Sequence, residues 1–328
     1  MKFLIAGFGS IGRRHLRNLI ELGQNDIILL RSQKSTLPTD EIRDIPVETD
    51  LDAALAHQPD AVIIATPTAL HLDVAIPAAK AGCHIFIEKP VSDSLDGIDA
   101  LEEAQQTGGG QMLVGFQFRY HPTLRIAARL LAEGAIGRPV YAHAHWGEYL
   151  PDWHPWEDYR QSYAGRADLG GGVVRTLCHP LDYLGWLLGP VRQVYGSASP
   201  SAELELTVDS TADALLKFDR DLVASVHLDY LQRPPEHSLE IVGTLGTIRW
   251  DNSSGNLTLF SQQGDSPTAF SPPEGFERNW LFLEQMHHFL RVAEGSQKPL
   301  CTLQDGKQAL AVVLAILESS RLNTPVLI

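Results

Sequence analysis

The sequence predicts an α/β fold, with an N-terminal doubly wound parallel sheet and a C-terminal α+β domain built on a large, open, mostly antiparallel sheet. Three observations predict it: apolar runs alternate with helical patterns in the first part, a glycine-rich turn follows the first run, and later apolar residues recur with a period of two. The 328 residues and 44% hydrophobic content suit two domains, which we assign to 1–118 and 119–328.

The first domain contains five short runs that are apolar on both faces, which is typical of buried parallel strands. These runs are Lys2–Ala6, Ile27–Leu30, Ala61–Ala65, His84–Ile87 and Gln111–Val114. The helical patterns between them are Gly12–Leu22, Leu51–Ala56, His71–Ala81 and Leu95–Gln106. We expect Asp50 and Ser94 to be N-caps, Gly82 to end a helix, and Pro77 to kink or shorten the third helix.

The second domain begins with a helix, a strand and an irregular stretch, predicted at Thr123–Glu133, Val140–Tyr149 and Leu150–Gly172. A helix over Val173–Leu188 follows. Six patterns with period two then predict an antiparallel sheet: Val191–Ser199, Leu204–Phe218, Leu222–Leu231, Ser238–Val242, Thr247–Trp250 and Leu257–Ser261. Two helices, Asn279–Ala293 and Leu303–Leu322, come last.

Composition disfavours several classes of function. A net charge of −14 does not suit a nucleic-acid binder, which needs a basic face. We find no apolar run of membrane-spanning length and no signal-peptide pattern, so we expect a cytoplasmic protein without a membrane partner. The three scattered cysteines predict neither a disulfide framework nor a zinc site, and Asp152, His154 and Glu157 lack recognisable ligand spacing. We therefore expect no metal.

The glycine-rich turn fits the dinucleotide-binding pattern G-x-G-x-x-G in the context that gives it meaning, after a strand and at the start of a helix. Gly7 permits the tight turn, Gly9 lets the backbone approach a pyrophosphate, and Gly12 lets helix and strand pack closely. The helix start at Ser10 and Ile11 supplies N–H groups and partial positive charge for phosphates. The turn therefore predicts a nicotinamide dinucleotide cofactor.

The end of the second strand bears on which cofactor is used. Arg31 stands where an acidic residue would bind the ribose 2′-hydroxyl, and its guanidinium suits a 2′-phosphate. Ser32, Lys34 and Ser35 offer further donors. This favours NADP(H); alternatively Arg31 stacks on adenine or faces solvent, which leaves NAD(H) open.

Several further motifs together resemble the glucose–fructose oxidoreductase/inositol dehydrogenase (Gfo/Idh/MocA) family over nearly the whole chain. They are Glu88-Lys89-Pro90, Ala65-Thr66-Pro67 with His71, the run from Gly115 to Pro122, and Gly170-Gly171-Gly172 with His179 and Asp182. The resemblance implies NAD(P)-dependent chemistry, commonly on sugars and polyols, and a C-terminal sheet that often forms the interface of a homo-oligomer. It also implies cofactor contacts at Thr66, Pro67, His71, Glu88, Lys89 and Gln117.

Lys89 and His179 are the predicted catalytic residues. Lys89 follows the carboxyl end of a buried parallel strand, where ligands collect, and its ammonium group can donate to a substrate oxygen. Glu88 can orient it. The resemblance implies that Lys89 is catalytic and that Pro90 follows a cis peptide bond. His179 can exchange the hydroxyl proton, because histidine titrates near neutrality.

The partner of His179 is left open by the sequence. The family often has an aspartate four residues earlier, where this chain has Arg175, with Thr176 three residues earlier. Thr176 can bond either the substrate or His179. Asp182 lies one turn later on the same predicted helix face.

The irregular stretch is the predicted specificity element, since loops on a rigid scaffold often carry function. Trp153 and Tyr159 offer aromatic faces to a sugar, and Arg160 and Arg166 can hold a phosphate or carboxylate. We add Arg119 as a substrate contact. The alternative is a packed aromatic loop or a contact between subunits.

The sequence thus predicts an oxidoreductase that transfers a hydride between the nicotinamide and a secondary alcohol or ketone of a sugar-like molecule. Two alternatives remain. One is a cofactor-binding sensor or regulator without net chemistry, and the other is an enzyme that uses transient oxidation to drive elimination or glycoside cleavage.

Overall fold

The computed structural model describes residues 1–32, 42, 44–261 and 266–328. It divides into two compact units, residues 1–117 with 277–307 and residues 118–276 with 308–328. The predicted division at residue 118 therefore needs a correction for the segment 277–307, which packs with the first unit. Met286, Phe289 and Leu290 of that segment are buried in the same apolar cluster as the first strand, so hydrophobic burial decides where the segment lies.

The described part of the first unit contains a six-stranded parallel sheet in the order β3-β2-β1-β4-β5-β6. The strands are β1 (Phe3–Ala6), β2 (Ile27–Leu30), β3 (Val47–Glu48), β4 (Ala61–Ile64), β5 (His84–Ile87) and β6 (Met112–Val114). Only β3 was not predicted, because two residues are too few to form a pattern. The order reverses between β1 and β4, and ligands bind beyond the carboxyl ends of strands at such a switch point.

The helices are α1 (Ser10–Glu21), α2 (Leu51–Ala56), α3 (His71–Lys80), α4 (Ile98–Gly108), α5 (Pro122–Ala132), α6 (Val173–Thr176), α7 (His179–Leu188), α8 (Arg278–Ala293) and α9 (Leu303–Leu322). Asp50 caps α2 as predicted, accepting a bond from Ala53 N at 3.0 Å. Ser94 is not the cap of α4, because Gly97 adopts a left-handed conformation, with φ at +83°, immediately before the helix. Helix α3 continues through Pro77 to Lys80.

The described part of the second unit contains a nine-stranded sheet in the order β14-β13-β12-β11-β7-β10-β9-β8-β15, in which β7 and β10 pair in parallel and the other pairs are antiparallel. The strands are β7 (Pro139–Gly147), β8 (Gln193–Ser199), β9 (Thr211–Lys217), β10 (Val223–Asp229), β11 (Glu236–Gly243), β12 (Gly246–Asp251), β13 (Leu257–Ser261), β14 (Thr268–Phe270) and β15 (Val326–Leu327). Burial alternates along β9 and β10, so one face of the sheet is buried and the other is open.

The helix predicted over Val173–Leu188 is in fact two helices, α6 and α7, separated at Leu177 and Cys178. Pro180 explains the break, because proline has no N–H to bond the carbonyl of Thr176. The break puts His179 at the first position of α7. None of the helices in the described ranges combines the length and apolarity needed to cross a membrane.

Candidate active site

The glycine turn after β1 has one open position between two crowded ones. Gly7 has a φ of +94°, and a Cβ added to it would lie 2.6 Å from Thr66 N. A Cβ added to Gly12 would overlap the carbonyl oxygen of Gly7. At Gly9 an added Cβ would meet nothing within 4 Å. Gly7 and Gly12 are thus required by the fold, whereas Gly9 leaves space that a ligand can approach.

The surroundings of this turn fit a dinucleotide. Helix α1 starts at Ser10 without a side-chain cap, so the N–H groups of its first turn point out at its positive end. Thr66, just past β4, has a buried hydroxyl without a hydrogen-bond partner among the described residues. Pro67 and the turn that begins at Thr68 continue the same edge of the sheet.

Arg31, just past β2, lies beside the aromatic ring that follows Gly7. Its guanidinium carbon is 5.8 Å from the centre of the Phe8 ring, and that of Arg13 is 4.5 Å from the same centre. The Nε of Arg31 is buried and has no partner in the described ranges. Ser32 is exposed, while Lys34 and Ser35 lie outside the described residues.

His71 links two loops at the carboxyl edge of the sheet. Its Nδ1 lies 2.9 Å from the carbonyl of Pro90 and its Nε2 lies 2.9 Å from the carbonyl of Thr66. Burial lowers the pKa of His71, against these carbonyl contacts. The ring therefore holds the Lys89–Pro90 turn against the loop after β4, a positioning role that the sequence did not reveal.

Lys89 follows β5 beside a buried contact between a carboxylate and an imidazole. Glu88 is 7% exposed and its Oε1 lies 2.8 Å from Nε2 of His15, while its Oε2 accepts a bond from Lys89 N at 3.3 Å. Burial raises the pKa of Glu88, but the hydrogen bond and charge of His15, with the charge of Lys89, outweigh it and leave the pKa below its ordinary value. Gly115 allows this arrangement, since a Cβ there would lie 3.2 Å from the carboxylate. The Lys89–Pro90 peptide bond is cis, as the resemblance implies.

Gln117, the last residue of the N-terminal segment of the first unit, is buried at the start of a short 3₁₀ turn. Its cofactor contact stays a prediction.

His179, in the second unit, is only 2% exposed and lies among aromatic rings. Its ring centre is 5.0 Å from that of Phe118 and 5.4 Å from that of Trp146. Its place at the first turn of α7 puts the imidazole at the positive end of a helix. The packing fixes the orientation of the ring, which a proton-transfer role requires.

Asp209 is a residue that the sequence reasoning missed. Its Oδ2 accepts a bond from Val174 N at 2.9 Å, so it caps α6, and a Cβ on Gly172 would overlap its carboxylate. Burial raises the pKa of Asp209, partly offset by its hydrogen bonds and by Arg175. The aspartate lies 35 positions from Val174, so no local pattern signals the contact.

Thr176 is buried, and burial raises the pKa of Tyr230 well above its ordinary value. The sequence did not single out Tyr230, which comes directly after β10.

Arg119 and Asp182 form a buried ion pair. The guanidinium donates to both carboxylate oxygens, with Arg119 Nη2 2.7 Å from Asp182 Oδ1, and the two side chains are 5% and 1% exposed. Arg119 was predicted to bind substrate, and this geometry gives its charge a structural partner. In the described contacts, Asp182 accepts hydrogen bonds from Arg119 and balances its charge.

The irregular stretch folds into short turns. Arg160 donates to Asp158 and Glu205, and Arg166 donates to Asp168 at 3.0 Å, so both predicted anion-binding arginines already have carboxylate partners. They line one groove of the second unit. An anionic substrate would have to displace these acids.

The aromatic residues of this stretch line a second, smaller recess. Tyr159 donates to the carbonyl of Leu204 at 3.2 Å. Trp153 packs edge-on against Tyr230, and its buried Nε1 has no partner among the described residues. Both stay predicted substrate contacts.

Comparisons with known proteins agree with this architecture. The family model described as "Oxidoreductase family, NAD-binding Rossmann fold" matches residues 1–116, and "GFO/IDH/MocA C-terminal domain" matches residues 124–249. The chain is 28% identical over 265 residues to 2,7-anhydro-N-acetylneuraminate hydratase of Mediterraneibacter gnavus, covering 78% of this chain and 69% of the relative. It is 27% identical over 345 residues to scyllo-inositol 2-dehydrogenase (NAD(+)) of Bacillus subtilis, covering 98% and 94%.

Among solved structures, levoglucosan dehydrogenase in complex with NADH and levoglucosan is similar in fold, with a TM-score of 0.88, 21% identity, and coverage of 100% of this chain and 99% of that one. The two family models together span most of the chain and correspond to the two sheets described above. The chain therefore belongs to the Gfo/Idh/MocA family of oxidoreductases, with an NAD-binding Rossmann fold at its N-terminal end.

Proposed function

We propose that this chain is a dehydrogenase or reductase that moves a hydride between a nicotinamide dinucleotide and a secondary alcohol or ketone carbon of a sugar or sugar derivative. The observation that carries the proposal is one edge of the parallel sheet, where the open Gly9 turn, the buried Thr66 hydroxyl and Lys89 follow the neighbouring strands β1, β4 and β5. The names scyllo-inositol 2-dehydrogenase and levoglucosan dehydrogenase support a polyol or sugar substrate.

The chain's own groups supply binding and proton transfer. When bound, the nicotinamide supplies the acceptor or donor of the hydride. Lys89 donates to the substrate oxygen and stabilises the negative charge that develops there. The Glu88 carboxylate, bonded to His15, accepts a hydrogen bond from the backbone N–H of Lys89. His179 takes up the hydroxyl proton during oxidation and returns it during reduction.

A thermal-shift screen of sugars and sugar derivatives, each with NADP and with NAD, identifies the substrate, and turnover is then followed by the absorbance of reduced nicotinamide. Lys89→Met should lower kcat by about 10²- to 10⁴-fold, a larger effect than any loss of cofactor affinity from the predicted contact of Lys89. His179→Asn should remove one limb of the pH–rate profile. The control is Lys80→Met, which alters an exposed lysine of α3. Near-normal turnover of Lys89→Met would contradict the catalytic role proposed for Lys89.

The likeness to a hydratase supports a second candidate, transient oxidation with the cofactor regenerated. The same experiment separates the two. A dehydrogenase changes the absorbance in proportion to product, whereas transient oxidation gives product without net reduction. A wild-type protein that binds the cofactor but turns over none of the screened sugars would favour the sensor alternative.

We further propose that the cofactor is NADP(H) in preference to NAD(H), because Arg31 Nε lies beside the Phe8 ring with no partner in the part of the chain that the structure describes, and Arg13 contributes a second positive charge there. Arg31→Gln should weaken NADPH binding about 10- to 100-fold, as expected for a lost charge-assisted bond, and leave NADH binding unchanged. Arg17→Gln, on the exposed side of α1, is the control. Equal loss for both cofactors would support adenine stacking.

We also propose that the open face of the nine-stranded sheet associates with a second copy of the chain. Tyr141, Tyr195 and Leu215 are 39%, 44% and 50% exposed, and strand pairing puts them on one face. Leu215→Asp should lower the mass measured by light scattering, whereas Leu95→Asp in the first unit should not. An unchanged mass for Leu215→Asp would contradict this interface.

A further inference from the structure

We propose that His145, His227 and Asp229, on the open face of the nine-stranded sheet, form a binding site for a divalent transition-metal ion of the Zn²⁺ type. One ring nitrogen of each histidine and one carboxylate oxygen lie within 4.8 Å of one another. Sequence spacing predicts no metal, because the ligands come from two strands that are distant in the chain. The site lies wholly in the second unit.

Strand pairing brings the three ligands together. His145 on β7 is paired directly with His227 on the parallel strand β10, and their ring centres are 4.9 Å apart. Asp229 follows His227 by two residues and therefore projects from the same face. All three positions are fixed by backbone hydrogen bonding rather than by a mobile loop.

Gly147 makes room for the carboxylate. It is paired with Asp229, and a Cβ at this position would overlap both the Asp229 carboxylate and the side-chain oxygen of Gln232. Any larger residue would force both groups to move. The glycine thus leaves the space in which an oxygen ligand can lie beside two imidazoles.

Each histidine also has a hydrogen-bond partner outside the three proposed ligands. His227 Nδ1 lies 2.8 Å from Asp213 Oδ1, while His227 Nε2 lies 3.3 Å from Asp229 Oδ2. His145 Nε2 lies 2.6 Å from Gln232 Oε1. Carboxylate or carbonyl partners of this kind fix the ring orientation and increase the basicity of the ligand.

The donor set selects the class of ion. Two imidazoles and one carboxylate suit Zn²⁺, Co²⁺ or Ni²⁺ and leave a fourth position for water, whereas Ca²⁺ and Mg²⁺ prefer sites made of oxygens. Both histidine side chains are only half-buried within a single chain, so an ion can reach them before this face associates with a second copy. A proton competes with the ion, because hydrogen bonds to Asp229 and Asp213 raise the pKa of His227 to about 9.

The test is a calorimetric titration of the full chain with Zn²⁺ at pH 8, repeated with Co²⁺ to record its visible spectrum. We expect one ion per chain, and a loss of affinity of tenfold or more in His145→Gln and Asp229→Asn. The matched control is His143→Gln, which removes a histidine from the same face of β7 and should bind as the wild type does.

Two outcomes would overturn the proposal: no saturable binding to the wild type, or an equal loss in His143→Gln, which would indicate ordinary surface histidines. Thermal unfolding without metal checks that each variant folds. Because Asp229 also accepts a backbone bond from Leu231, His145→Gln is the decisive variant if Asp229→Asn is destabilised. The measured quantity is bound metal, so the result is independent of the proposed hydride transfer.

Discussion

Substituting single glycines of the turn after β1 separates the needs of the fold from those of the cofactor. Gly9 has a φ of −80°, which any residue adopts, and open space where a Cβ would project. We expect Gly9→Ala to keep or raise the free energy of unfolding, by about 0.4–1 kcal/mol, because alanine has fewer unfolded conformations to lose. The new methyl group would nevertheless occupy the approach of the pyrophosphate to the backbone.

The effect on binding follows from the contacts that the methyl group would prevent. Losing one hydrogen bond from a backbone N–H to a charged phosphate costs about 1.5–3 kcal/mol, or roughly 10- to 100-fold in Kd. Gly12→Ala should behave differently. Its Cβ would lie well inside 3.0 Å from the Gly7 carbonyl oxygen, and overpacking of this kind costs about 1–3 kcal/mol of folding stability.

The assays are urea unfolding of the protein without cofactor and fluorescence titration with NADPH and NADH. Gly185→Ala is the control, since Gly185 lies within α7 and an added Cβ there meets nothing within 4 Å. It should leave Kd unchanged. The reasoning is refuted if Gly9→Ala binds cofactor as the wild type does, or if it loses as much stability as Gly12→Ala.

Three further predictions concern buried ionisable groups. Glu88→Gln should cost about 1–3 kcal/mol of unfolding free energy at pH 7, because it removes the charge that accepts from His15. Since the pKa of Glu88 is lowered, this stabilisation should be present above pH 4.5 and lost as the pH falls below it. Urea unfolding of both proteins at pH 7 and pH 4 checks this, and an equal difference at the two pH values would contradict it. Burial lowers the pKa of His121 to about 4, so the wild type should lose stability as the pH falls from 6.5 towards 4. His121→Phe should show a flatter profile of Tm against pH. Parallel profiles for the two proteins would contradict this prediction. Asp182→Asn should cost about 3–5 kcal/mol of unfolding free energy, since it leaves the charge of Arg119 buried without its counterion, and a loss below 1 kcal/mol would show that the pair contributes little.

Much of the fold follows from local patterns. The β2 and β5 strands have the predicted bounds, because apolar runs flanked by turn residues are local signals. Asp50 caps its helix as predicted for the same reason. The break before His179 also had a local cause in Pro180, which the continuous apolar pattern of the segment obscured.

By itself, the sequence determined the fold class, the glycine turn and the Glu88-Lys89-Pro90 motif. Each depends on residues that are neighbours in the chain, so the conformations and hydrogen bonds that they allow follow from the local sequence. Only the tertiary structure decided that residues 277–307 pack with the first unit, that Asp209 caps α6, and that His145 lies beside His227. These contacts join residues far apart in the chain. They arise from burial and strand register, which depend on the whole fold and leave no spacing pattern in the sequence.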